Sequence, residues 1–73
     1  MDTGEYLKRF GEHLKKVRLE KGLSIRELEL RGEVDRSFLS KVEKGQKNCS
    51  VYTLAKICLA LEISQEDFFK GFN

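Results

Sequence analysis

Apolar residues recur along the first third of the chain at helical spacing. Leu7, Phe10, Leu14 and Val17 stand at i, i+3, i+7 and i+10, which is the stripe of an amphipathic helix. The pattern predicts a first helix from about Glu5 to Lys21, capped by Asp2 or Thr3 and stopped at Gly22. Leu23-Ser24-Ile25-Arg26-Glu27-Leu28 opens a short second helix, about Ser24 to Arg31, with Ser24 and Glu27 at capping-box spacing. Gly32-Glu33 interrupts it, and Val34 re-enters the core. A third helix, about Arg36 to Lys44, has Asp35 as its N-cap and Gly45 where a left-handed residue would end it. Leu39 and Val42 make its inner face, while Arg36, Ser37, Ser40, Lys41 and Lys44 stay polar. A helix this short must be held by its neighbours. After the polar loop Gln46-Lys47-Asn48-Cys49, Ser50 caps a fourth helix, Val51 to Leu61. Its buried stripe is expected to be Val51, Leu54, Ile57, Cys58 and Leu61. Ser64 and Asp67 cap a fifth, in which Phe68 should close the core. The fold class read from this pattern is all-α, with five helices.

Composition narrows the picture. Seventy-three residues allow one small domain with a thin core. A chain that is 40% hydrophobic and 36% charged, without proline, suits a compact helical bundle. The net charge of +2 does not by itself indicate a nucleic-acid partner, but its distribution is uneven. Residues 1–48 hold 12 lysines and arginines against 9 acids; residues 49–73 hold 2 against 3. From Arg36 to Lys47 there are four cations and one anion, which is either a solvated face or a basic surface with a partner. No apolar run approaches a membrane span and no signal-peptide pattern is present, so the expectation is a cytoplasmic protein with no membrane partner. Cys49 and Cys58 are too few and too far apart for a metal site, and Cys58 falls on an apolar helical face as a small hydrophobe. The single histidine, His13, is expected to be partly exposed beside the first stripe, with no neighbouring nucleophile. Nothing here assembles a catalytic site, a cofactor site or a small-molecule site.

Helix, tight glycine-containing turn, second helix is the helix-turn-helix layout. The segments FGEHLKKVRLEKGLSIREL, VDRSFLSKVEKGQKN and SVYTLAKICLALEISQEDFF resemble the phage-repressor and Cro-type helix-turn-helix family. The resemblance runs from Phe10 to Phe69, and it is specific because several spacings agree at once. It implies that residues 1–73 form a single helix-turn-helix DNA-binding domain, a five-helix repressor-like bundle. It also implies a sequence-specific regulator of transcription on double-stranded DNA, acting as a homodimer.

The resemblance assigns roles residue by residue. The third helix becomes the recognition helix, with Arg36, Ser37, Ser40 and Lys41 at base edges. Lys44, Gln46, Lys47 and Asn48 fall in the loop that lies against phosphate. Phe38 is placed against sugar or a thymine methyl, with packing inside the domain as the alternative. Ile25 and Arg26 open the second helix, where the family contacts phosphate; Ile25 replaces a frequent glutamine, leaving the backbone N–H groups there to do it. Arg18 and Glu43 match a family ion pair that ties the first helix to the recognition helix. The family commonly dimerises through its C-terminal region, which here offers Phe69 and Phe72, either packed locally or exposed for self-association.

The chain departs from the family pattern at three further positions. Glu29 stands where alanine is usual, and if buried it needs a partner, for which Arg26 and Arg31 are at hand. Glu33 stands where glycine often supplies the left-handed turn residue, a conformation that Gly32 is expected to take one residue earlier. Cys49 replaces a frequent proline. The competing reading is a protein-interaction module on the same fold, such as an antitoxin or accessory factor. A partner-binding third helix would favour exposed aromatic and aliphatic residues, whereas this one carries arginine, serine and lysine.

Overall fold

In a computed structural model, described here for residues 2–72, the chain forms five helices: α1 Thr3–Glu20, α2 Ile25–Gly32, α3 Arg36–Glu43, α4 Val51–Leu61 and α5 Gln65–Lys70. Each start is set by a side-chain cap that takes up a backbone N–H of the first turn. Asp2 accepts from Gly4, Ser24 from Glu27, Asp35 from Phe38, Ser50 from Thr53 and Ser64 from Asp67. At α2 the box is reciprocal, because Glu27 Oε1 accepts from the Ser24 N–H at 2.9 Å. That N–H, and then the Ser24 hydroxyl, hold the Glu27 carboxyl below its ordinary range.

The helices close around one core. Leu14, Leu28, Leu39, Ile57 and Phe68 are fully buried, with Val42 and Leu61 beside them. Helix α1 packs on α3, α2 on both α3 and α4, and α4 on α5. Each buried leucine of this kind contributes about 1.5–3 kcal/mol of burial free energy, against the entropy of ordering the chain. Cys58 is buried and Cys49 half-buried, both as free thiols whose pKa burial raises. Their chemistry is that of small apolar residues.

Four expectations need correction. Val51 lies outside the α4 stripe and is exposed. His13 is buried: its Nε2–H donates to the Phe68 carbonyl at 2.6 Å and its ring packs edge-on against Phe68, tying α1 to α5. The left-handed residue at the end of α2 is Glu33, at φ 54 and ψ 44, while Gly32 remains helical. A Cβ on Gly32 would sit 3.4 Å from Ala60 Cβ, at van der Waals contact, so this glycine lies where α2 meets α4. Glu29 is half-buried, and its carboxylate meets the backbone N–H of Arg36 and neither Arg26 nor Arg31. Arg31 instead lies 3.8 Å from Glu62.

Candidate nucleic-acid interface

Helix α3 is eight residues long, about 12 Å at 1.5 Å per residue, and an α-helix with its side chains is about 10–12 Å across, which the major groove of DNA admits. Its two sides differ in chemistry. Leu39, Val42 and Glu43 point inward and are buried; Arg36, Ser37 and Lys41 are exposed, and Ser40 is half-exposed between them. Phe38 is half-buried and packs against the core, so its ring is partly withdrawn from the outer face.

The inward side is anchored by charge as well as by apolar contact. Arg18 Nε donates to Glu43 Oε2 at 2.8 Å, and Nη2 donates to Oε1 at 3.0 Å. The third arm, Nη1, donates to the Leu23 carbonyl at 2.8 Å. Their side chains are 9% and 6% exposed, so this is a bidentate ion pair shielded from solvent. It ties α1, the α1–α2 turn and the end of α3 to one another. The outer side of α3 is therefore presented on a fixed support.

Beyond α3 the chain turns at Gly45, φ +77, close under α1: a Cβ there would lie 2.6 Å from Lys8 Cα. Around it, Lys44, Gln46, Lys47 and Asn48 are all exposed. At the other side of α3, Ile25 is half-buried against the core and Arg26 is exposed. A shallow hollow lies between them, lined by Lys15, Ser24, Ile25, Ser40 and Lys44 over the Arg18–Glu43 pair. Lys15 was not singled out from the sequence. The available signal was its place three residues before Arg18, which puts both on one side of α1.

The exposed apolar surface lies elsewhere. Val51, Tyr52 and Leu59 are 78%, 72% and 79% exposed, and with the half-buried Ala55 they make a second stripe along the outside of α4. Phe69 is exposed near its end. Phe72 is half-buried and packs edge-on against Tyr6 and Phe10, at centroid distances of 5.4 and 6.1 Å. Among the described residues no group of side chains could hold a metal, and no helix is long and apolar enough to cross a membrane.

The family model described as helix-turn-helix matches residues 14–68, which contain α2, α3 and their supports. The control protein C.MunI of a Mycoplasma species is 39% identical over 66 residues, covering 89% of each chain. The solved restriction-modification controller protein C.AhdI from Aeromonas hydrophila superposes with a TM-score of 0.82 at 38% identity, over 86% of this chain and 96% of that one. The controller C.Esp1396I, solved as a tetramer in complex with its natural 35-base-pair operator, superposes at 0.85 with 32% identity, over 90% of this chain and 87% of that one. With the two motif helices, their support and these relatives in agreement, the chain belongs to the helix-turn-helix family of phage-repressor and Cro type.

Proposed function

We propose that this chain is a transcriptional regulator that binds double-stranded DNA sequence-specifically as a homodimer, with α3 in the major groove. The observation that carries the reading is the division of α3 into a locked inner side and a basic, polar outer side. Arg36, Ser37, Ser40 and Lys41 are assigned to base edges. Lys44, Gln46, Lys47 and Asn48 are assigned to phosphate, together with Arg26, the Ile25 N–H and Lys15 at the hollow beside α2. The protein-interaction alternative loses ground because the exposed large apolar side chains among the described residues lie on α1, α2, α4 and α5 and not on α3. The chemistry expected is binding alone, in a cytoplasmic setting. Correspondence over nearly the full length of C.MunI and C.AhdI supports the role of a control protein, which for C.AhdI is restriction-modification.

The homodimer is assigned to the outer stripe of α4, Val51, Tyr52 and Leu59, with Phe69 continuing it. A self-facing apolar patch of this kind is complementary to its own copy across a two-fold axis. The domain measures 32 × 25 × 21 Å. A two-fold operator requires the recognition helices of the two copies to stand about one DNA turn, roughly 34 Å, apart, a spacing of the same order as these dimensions. Leu59→Asp places a charge on an already exposed position, so the monomer fold should persist. Sedimentation should shift to monomer, and binding to a full operator should weaken more than binding to a half-site. Wild-type protein that stays monomeric at high micromolar concentration with operator present would refute the dimer.

Reading and positioning have separable signatures. Losing an arginine–guanine contact costs about 1–3 kcal/mol on the cognate site and relaxes preference at that base pair. Losing a phosphate contact weakens all DNA alike and lowers the salt slope by about one ion. Arg36→Ala should therefore bring specific binding toward the non-specific level, while Lys47→Ala should lower both and keep their ratio. Selection from a random DNA pool supplies the cognate site, and fluorescence anisotropy across a salt series measures both variants. An unchanged specificity ratio in Arg36→Ala would remove α3 as the reader.

A further inference from the structure

The turn between α2 and α3 carries two acidic caps. Asp35, the N-cap of α3, accepts from the Phe38 N–H at 3.0 Å. Glu29 reaches across from α2, and its Oε2 accepts from the Arg36 N–H at 2.9 Å. Arg36 is the first residue of α3, so this N–H has no carbonyl within the helix to meet. The Glu29 carbonyl also receives the N–H groups of Glu33 and Val34. One residue thus holds both the exit of α2 and the entry of α3. The link matters because the turn passes through Glu33 in the left-handed region, which a residue with a side chain adopts reluctantly.

We propose that Glu29 is a positioning residue for base reading: its carboxylate fixes the backbone from which Arg36 projects into the groove. The inference rests on the assignment of Arg36 as a reader. A carboxylate close to DNA weakens binding to every sequence alike, since its charge repels phosphate whatever the bases are. Holding the first peptide of α3 acts differently, because only a well-placed guanidinium can meet both guanine acceptors. Glu29 therefore trades general affinity for discrimination.

Three substitutions separate its charge from its hydrogen bond. Glu29→Ala removes both, Glu29→Gln keeps an acceptor oxygen at the same reach, and Glu29→Asp keeps the charge but shortens the reach. In anisotropy titrations with cognate and non-cognate DNA, Glu29→Ala should lower the specificity ratio about three- to tenfold, part of what a whole arginine–guanine contact contributes. Glu29→Asp should lose in the same direction. Glu29→Gln should keep the ratio to within about twofold, because its amide oxygen still accepts. Both neutral variants should bind non-cognate DNA more tightly. In an Arg36→Ala background, Glu29→Ala should lower the ratio no further. The inference is overturned if the ratio survives in Glu29→Ala or, should that variant not fold, in Glu29→Asp. It is equally overturned if Glu29→Gln falls as far as Glu29→Asp, or if the loss persists without Arg36. A ratio that Arg36→Ala itself leaves unchanged rejects the underlying reading, whereas a ratio lost with Arg36 but kept in Glu29→Ala rejects the role of Glu29 alone.

Discussion

Glu43→Ala is expected to lower the melting temperature by on the order of 20–30 °C, corresponding to about 3–5 kcal/mol in a domain of this size. The reason is asymmetry. Removing the carboxylate leaves the Arg18 guanidinium among α1, α3 and the α1–α2 turn with only the Leu23 carbonyl as partner. A shielded charge without its counter-ion costs more than the intact pair contributes. Replacing both partners by apolar residues of similar shape, Arg18→Met with Glu43→Leu, should recover part of the loss. Recovery should be incomplete, because the Leu23 carbonyl then loses the guanidinium as well. DNA affinity should follow stability in the single mutant, since α3 is presented by this support. Thermal melts followed by circular dichroism measure all three proteins. Equal stability of Glu43→Ala and the wild type would remove the pair as the support of α3.

Helix positions were legible because they depend on neighbours in sequence. Ser24 with Glu27, Asp35, Ser50 and Ser64 announce four starts, and each makes its cap in the structure. What depends on distant partners was not. His13 looked like a surface residue because the carbonyl it meets belongs to Phe68, 55 residues away. Val51 fits two stripes: one with Leu54, Cys58 and Leu61, which is buried, and one with Ala55 and Leu59, which is exposed. Periodicity cannot say which of two stripes the fold covers. The left-handed residue was expected at Gly32, but α2 continues through that glycine and the turn falls to Glu33. For the site, residue types suggested a basic outer face on α3, while the approach of Lys15 to Lys44 and the reach of Glu29 to Arg36 required the fold.

The second large effect belongs to a glycine inside a helix. Gly11 lies in the middle of α1, where glycine costs about 1 kcal/mol relative to alanine. The structure supplies the compensating contact. A Cβ at Gly11 would lie 2.3 Å from the Val42 carbonyl oxygen and 2.6 Å from that of Glu43. Both obstacles are backbone, so no side chain can rotate aside; α1 and α3 would have to separate. Separation would also stretch the Arg18–Glu43 pair, which spans the same two helices. Gly11→Ala should therefore destabilise by about 3 kcal/mol or more, at or beyond the upper range of overpacked cores. Gly4→Ala is the contrasting case in the same helix. Its Cβ would meet only the Asp2 carboxylate, at 3.8 and 4.0 Å, so stability should hold or rise by up to about 1 kcal/mol. Chemical denaturation of the two variants beside wild type decides it. If Gly11→Ala were as stable as Gly4→Ala, α1 would not seat against α3 as closely as described, and the rigid presentation of the recognition helix would lose its main support.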